Sequence, residues 1–135
     1  MNAPEAIITQ LQQYFAAHCD EYAAAFLFGS VARNDARSDS DLDIAIVPNR
    51  RQSAELRLKL IMDLGKLSGR PVDVVDLTSA NGPVLKQALT TGVCVHRNDP
   101  DAVAEVAGRM LAYETDLAPL VQAAEKRIVD AWLKS

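Results

Sequence analysis

The chain has 135 residues, with 49% hydrophobic and 24% charged side chains and a formal net charge of -4 at pH 7. These values are ordinary for a soluble globular protein and predict one domain over residues 1–135, which buries about two-thirds of its unfolded surface. The acidic balance disfavours direct nucleic-acid binding, which needs a basic face to displace counterions. Since we find neither a signal peptide nor a membrane-length apolar run, we expect a cytoplasmic protein without a membrane partner.

Hydrophobic patterning in the first half of the chain predicts a helix and two buried strands. The helix begins near Pro4, carries an apolar stripe at three- and four-residue spacing, and ends by Asp20. An apolar run over residues 23–28 predicts the first strand, and a short helix is expected over 31–34. The second strand is predicted over 41–47.

The second half of the chain alternates predicted helices and strands. Ser53 is a candidate N-cap for a helix over 54–67, and strands are predicted over 72–77 and 93–96. A helix over 83–91 precedes Gly92, a residue suited to a helix C-cap. From about residue 100 to 134 the pattern is helical, with Pro119 dividing the segment. The fold class expected is α/β (α+β): a small mixed sheet of about four strands, flanked by helices and followed by a C-terminal helical segment.

Two aspartates at the start of the second strand are the first candidate site. Asp41 and Asp43 point to the same face, about 7 Å apart along the backbone. Their repulsion is roughly 1 to 4 kcal/mol across plausible dielectrics, and a bound cation would relieve it. A calcium loop of EF-hand type is excluded, because the required Gly is Ile44 and the closing Glu is Arg50.

Residues at the end of the first strand are candidates for binding phosphate. Gly29 lets the backbone approach a ligand closely, and the Ser30 hydroxyl with the N–H groups of the next helix forms an anion site. The stretch is not a Walker A loop, which needs Gly-Lys-Ser/Thr, and it lacks the flanking glycines of a nucleophile elbow. Zinc is disfavoured because His18 and His96 are far apart, and the two cysteines form no CxxC motif.

The whole stretch from Gly29 to Asp43, GSVARNDARSDSDLD, resembles the signature of the DNA-polymerase-β-like nucleotidyltransferases, and of their minimal nucleotidyltransferase group in particular. Asn34 stands where that group usually has Gly, and Ser38 where it often has Pro. The group also has a third carboxylate on a later strand after a basic-Pro turn. In this chain Asp73 has that position, while Asp76 lies on the opposite strand face and is expected to cap the following turn.

The resemblance implies a nucleotidyltransferase fold and a two-magnesium reaction with ATP as substrate. By resemblance, Asp41 and Asp43 bridge two Mg²⁺ ions, and Asp73 holds the ion that activates an acceptor hydroxyl. Gly29 and Ser30 hold the β- and γ-phosphates, and the set of nucleotide-binding candidates also includes Arg33. The acceptor then attacks the α-phosphate, AMP is transferred and pyrophosphate leaves.

The length of the chain and the segment around Tyr113 and Pro119 resemble the antitoxin branch of that group. Members of this branch are encoded beside a HEPN-type ribonuclease toxin and transfer AMP to a tyrosine on it, so the implied partner is a HEPN toxin in a hetero-oligomer. Two alternatives stay open at this point. One alternative is an antitoxin that occludes the toxin without catalysis, and the other is an enzyme that transfers a nucleotide to a small molecule such as an aminoglycoside.

Overall fold

The structure, a computed structural model, describes residues 3–33, 40–50, 53–80, 82–113, 126–127 and 130–131. Within these ranges the chain alternates helices and strands, as the hydrophobic pattern predicts. The elements in chain order are α1 (Ala3–Ala17), β1 (Tyr22–Phe28), α2 (Gly29–Ala32), β2 (Leu42–Pro48), α3 (Ala54–Ser68), β3 (Val72–Asp76), α4 (Gly82–Lys86), a π-helical turn (Gln87–Thr91), β4 (Val93–Arg97) and α5 (Pro100–Ala112).

The four strands form one mixed sheet in the order β3-β2-β1-β4. Strand β1 is antiparallel to both of its neighbours, β2 and β4, whereas β2 and β3 are parallel. A parallel pair needs a crossover connection, and α3 supplies it between β2 and β3. The predicted fold class, a small mixed sheet flanked by helices, is confirmed.

Each face of the sheet is covered by helices, because alternate residues of the central strands are apolar on both sides. On one face, Leu42, Ile44 and Ile46 of β2 join a buried cluster with residues of α1 and α3. On the other, Ala45 and Val47 pack with residues of α4 and α5. This second face is the one predicted to carry Asp41 and Asp43, so the carboxylates lie where this covered face meets the end of the sheet.

The structure refines one local expectation and corrects another. Gly92 directly follows the helical turn Gln87–Thr91, as expected, but its φ is -77°, so it is not a left-handed helix cap. A Cβ there would lie 2.2 Å from the Ala88 carbonyl oxygen, so glycine is needed for a close approach of the backbone. The apolar spacing of α3 predicts a buried stripe through Leu56, Leu60 and Leu64, but Leu56 is exposed and only the other two are buried.

The predicted C-terminal helical segment is seen only in part. Helix α5 covers Pro100–Ala112, and residues 126–127 and 130–131 are also helical. Pro119, like Asn34 and Ser38 of the sequence motif, lies outside the described residues. Within the described ranges, no helix combines the length and the hydropathy that crossing a bilayer requires.

Candidate active site

Strand pairing gathers the candidate residues at one corner of the sheet. Phe28, the last residue of β1, pairs with Asp43 on β2, and Asp43 pairs in turn with Asp73 on β3. Neighbouring strands lie about 4.8 Å apart, so the two carboxyl groups start from adjacent positions on one face. Asp41 lies just before β2 and is exposed, as is Asp73, while Asp43 is half-buried. The fold therefore joins carboxylates that are distant in sequence.

Gly29 lies directly against the carboxylate of Asp43, and two independent features require glycine there. Its φ is +77°, a left-handed conformation that side chains with a Cβ rarely adopt. A Cβ at this position would also lie 2.1 Å from Oδ2 of Asp43, far inside van der Waals contact. The main chain at the β1–α2 junction thus closes on the carboxylate, and Ser30 follows it, half-buried, in the short helix α2.

The electrostatics of this corner are dominated by like charges. The pKa of Asp43 is raised above its ordinary value of 3.8, first because burial disfavours the ionised form and then because Asp73 and Asp41 repel it. The guanidinium of Arg33 opposes this effect and lowers the pKa of Asp43. Among the described residues, no hydrogen bond reaches the carboxylates of Asp41, Asp43 or Asp73. A bound cation would stabilise the ionised forms of all three.

The residues at this corner fit a magnesium ion that shares its coordination with a nucleotide. Within the described part of the chain, no three or more His, Cys, Asp or Glu side chains are grouped closely enough to enclose a metal ion. Mg²⁺ does not need such an enclosure, since it is usually held by one or two carboxylates, waters and substrate phosphates. Asp43 supplies oxygens of that kind together with Asp73 or Asp41. Because residue 29 is glycine, backbone and not a side chain lies beside the Asp43 carboxylate.

Asp76, the other acidic residue of β3, is placed elsewhere. Its Oδ1 accepts hydrogen bonds from the backbone N–H of Thr78 (2.8 Å) and from the Thr78 hydroxyl (2.6 Å). This is the turn-capping arrangement expected from its position in the sequence, and it is confirmed. Asp73 therefore lies with Asp41 and Asp43 at the corner of the sheet described above, which we call the carboxylate corner, and Asp76 does not.

Two arginines near the site carry contacts that sequence reasoning missed. Arg57 of α3 donates a hydrogen bond to the Val74 carbonyl, beside Asp73. Arg70 donates from Nη1 to the Ser40 carbonyl at 3.1 Å, beside Asp41. Apolar periodicity does not indicate which carbonyl a long cationic side chain reaches. The only sequence signal was the placement of Arg70 in the basic-Pro turn before β3.

Comparisons with known proteins identify the family and the fold. Residues 9–101 match the family model described as polymerase beta, nucleotidyltransferase. A toxin–antitoxin crystal structure with AMP-PNP has a chain that superposes with a TM-score of 0.70 at 22% identity, over 93% of this chain and 98% of that chain. A chain of the tri-AMPylated Shewanella oneidensis HEPN toxin in complex with an MNT antitoxin gives a TM-score of 0.66 at 22% identity, over 96% and 98% of the two chains.

A chain of a MntA–HepT toxin–antitoxin complex gives a TM-score of 0.65 at 21% identity, over 96% of this chain and 98% of that chain. At these identities the structural matches show a shared fold. No curated protein sequence matches the chain.

Proposed function

This chain belongs to the polymerase beta nucleotidyltransferase family, and we propose that it is a magnesium-dependent adenylyltransferase that modifies a partner protein. Its substrates in this proposal are ATP and a tyrosine hydroxyl of a HEPN-type ribonuclease toxin. Transfer of AMP to the toxin would neutralise it, so the protein would act as an antitoxin.

One observation carries the chemical part of the proposal. Asp43 is flanked on one side by its strand partner Asp73 and on the other by the left-handed backbone of Gly29. A pair of carboxylates beside a backbone segment without a side chain is suited to a cation and a phosphate side by side, because the cation neutralises both. Adenylyl transfer needs that combination at its reacting centre.

The residues divide into two groups by what they would contact. The N–H groups and hydroxyl at Gly29 and Ser30 would bind the β- and γ-phosphates, with Arg33 adding positive charge near them. Asp41, Asp43 and Asp73 would hold magnesium. When bound, the metal lowers the pKa of the acceptor hydroxyl and neutralises charge on the transferring phosphoryl group.

The reaction is an in-line displacement in which the acceptor oxygen bonds to the α-phosphorus as the bond to the pyrophosphate oxygen breaks. The acceptor proton has to leave as that bond forms. Asp73 lies on the edge strand and is exposed, so it is open to an incoming hydroxyl and able to accept its proton. The leaving group is pyrophosphate, which consists of the β- and γ-phosphates that Gly29 and Ser30 would bind.

The proposed partner is inferred from the complexes in which structurally similar chains are found. The three structurally similar chains described above come from toxin–antitoxin complexes, of which one contains AMP-PNP and another a tri-AMPylated HEPN toxin. These chains match this one over nearly their whole length, which supports transferring the role as a hypothesis. An acceptor on a second protein also suits a carboxylate corner that is open at the edge of the sheet.

The proposal is tested by incubating the purified protein with ATP labelled at the α-phosphate, MgCl₂ and a HEPN protein encoded by the neighbouring gene. We expect label on the HEPN protein and loss of its ribonuclease activity with wild type. Asp43→Asn should abolish both effects, while Asp76→Asn, which keeps its bonds to Thr78, should behave like wild type. The absence of label with wild-type protein, under conditions where complex formation is verified, would contradict the proposal.

The same experiment separates catalysis from occlusion. One structural match is a chain of a toxin–antitoxin complex, and binding alone is one way to block a ribonuclease. If Asp43→Asn still neutralises the toxin without labelling it, the protein is a binding antitoxin and the adenylyltransfer part of the proposal is wrong.

A further inference from the structure

The two peptide groups on either side of Asp41 are both bonded to the turn between α3 and β3. On one side, Nη1 of Arg70 donates to the Ser40 carbonyl at 3.1 Å. On the other, the Leu42 N–H donates to the Pro71 carbonyl at 2.8 Å. These two contacts join the backbone around Asp41 to the turn that leads into β3, the strand that carries Asp73.

The turn that provides these contacts is itself fixed. Gly69 caps α3 in a left-handed conformation, φ +69°, and its N–H donates to the Gly65 carbonyl at 2.8 Å. The Arg70 N–H donates to Ser68 Oγ at 3.2 Å, and that hydroxyl donates in turn to the Leu64 carbonyl at 2.7 Å. The guanidinium of Arg70 therefore extends from a hydrogen-bonded turn, and the side chain is half-buried.

We propose that Arg70 is a positioning residue for the metal site, because its bond to the Ser40 carbonyl sets the separation of Asp41 from Asp73. The inference rests on the proposed function in taking these two aspartates as cation ligands. Arg70 does not contact the substrate or the reacting atoms in this proposal. A charge-assisted hydrogen bond suits the task, since it is about twice as strong as a neutral one and has a defined direction.

A matched arginine elsewhere in the fold separates positioning from general support. Arg109 of α5 donates to the carbonyls of Leu77 (2.7 Å), Thr78 (2.8 Å) and Ala80 (3.2 Å), at the opposite end of β3. It therefore makes the same kind of contact as Arg70, away from the carboxylate corner. A merely structural role predicts similar effects of the two arginines on the site.

The test is Mn²⁺ binding to the full chain, measured from the EPR signal of free Mn²⁺ without nucleotide, alongside thermal unfolding of each variant. Arg70→Ala is expected to weaken Mn²⁺ binding about 10- to 100-fold, as removal of groups that orient metal ligands typically does. Arg70→Lys should fall between wild type and Arg70→Ala, because an ammonium can donate to Ser40 but lacks the planar fork. Arg109→Ala should unfold at a lower temperature and yet bind Mn²⁺ like wild type.

The outcomes separate this inference from the proposed function. If wild type binds no Mn²⁺ at millimolar concentrations, either alone or with a non-hydrolysable ATP analogue, the metal site of the proposed function is wrong, whatever the arginines do. If it binds Mn²⁺ only with the analogue, the same variants are compared in its presence. If wild type binds Mn²⁺ and folded Arg70→Ala binds it equally well, the inference is overturned and the metal site stands. Should Arg70→Ala fail to fold, Arg70→Gln, which keeps a donor without the charge, takes its place and the same unchanged affinity overturns the inference.

Discussion

The two ends of strand β3 treat the same type of side chain in opposite ways. At one end, Asp76 accepts two hydrogen bonds from Thr78, and its carboxylate closes a turn. At the other end, Asp73 is exposed and stands beside Asp43, whose pKa is raised by burial and by its acidic neighbours. The first carboxylate is satisfied by its own chain. The second belongs to a group of like charges that a cation would stabilise.

The backbone differs between the two ends in the same sense. In the turn after Asp76, Arg109 donates hydrogen bonds to the carbonyls of Leu77, Thr78 and Ala80. At the other end, Gly29 lies against Asp43, the strand partner of Asp73, where its backbone adopts a left-handed conformation and leaves no room for a Cβ. One end thus has the bonding of a structural turn, and the other has the close backbone approach and the charge repulsion that are found at functional sites. The predictions below test this contrast, from the largest expected effect to the smallest.

The largest effect is expected from neutralising each aspartate of β3 in turn. Asp73→Asn should lower adenylyl transfer by on the order of 1000-fold, since losing metal-based charge stabilisation costs several kcal/mol of barrier. Asp76→Asn should stay within about twofold of wild type, because the amide oxygen still accepts from Thr78. The measurement is the single-turnover rate of label transfer. Equal losses for the two variants would remove the functional distinction between the two ends of the strand.

A glycine exchange tests the backbone half of the comparison. Gly29→Ala places a Cβ into the carboxylate of Asp43 at a positive φ, so we expect about 1–2 kcal/mol of lost stability from the backbone alone. Displacement of Asp43 by about 1 Å should lower the transfer rate by about 100-fold. Denaturant unfolding and rate measurements on the same preparation check both expectations.

Gly108 is the matched control for this exchange. It lies in α5, and a Cβ there would meet no atom within 4 Å. Gly108→Ala should gain about 0.5–1 kcal/mol from helix propensity and leave the rate unchanged. A rate loss in Gly108→Ala similar to that of Gly29→Ala would mean that the Gly29 effect does not arise from the site.

Much of the fold could be predicted because local patterns agree with the tertiary structure. Ser53 caps α3 and Gly69 ends it in a left-handed conformation, within a residue or two of the predicted helix. The predicted face of β2 that carries Asp41 and Asp43 is the one opposite the Leu42 cluster. In these elements the alternation of a strand or a single capping residue is enough to determine the local structure.

The remaining features depend on contacts between distant segments. Gly92 suits a helix cap by its position, yet a close approach to the Ala88 carbonyl is what requires glycine. The contact of Arg70 with Ser40 exists only because α3 returns the chain to the start of β2. Asp73 could be named only by resemblance to a family, because its pairing with Asp43 is a register between strands that no local pattern encodes.

A third prediction concerns the structural end of β3. Arg109→Ala leaves the carbonyls of Leu77, Thr78 and Ala80 without their cationic donor, and we expect a loss of about 1.5–3 kcal/mol in the free energy of unfolding. The transfer rate per folded molecule should stay within about twofold of wild type. Arg50→Ala, at an exposed position, is the control and should change stability by less than about 0.5 kcal/mol. A rate loss in Arg109→Ala without a loss of stability would place this end of the strand in the functional site.

The smallest expected effect is a change in the free energy of unfolding, measured in metal-free buffer, when Asp43 at the carboxylate corner of the sheet is replaced by Asn. Because the folded-state pKa of Asp43 is raised above its ordinary 3.8, the folded chain binds more protons than the unfolded chain between the two pKa values. This aspartate's contribution to stability is therefore fully present below pH 3.8 and is lost as pH rises through the folded-state pKa. Asp43→Asn should be more stable than wild type at pH 7, by about 1 kcal/mol or less given solvent screening, with the difference shrinking in acid.

Added Mg²⁺ should also shrink this difference, since the ion stabilises wild type and has lost a ligand in Asp43→Asn. Denaturant unfolding at pH 7 with and without Mg²⁺, and again near pH 4, measures both trends. Asp76→Asn is the control and should gain no stability, because its carboxylate is not held among like charges. If Asp43→Asn is instead less stable than wild type at pH 7 without metal, the carboxylate corner is stabilised by interactions within the protein, and the contrast between the two ends of β3 fails at its first premise.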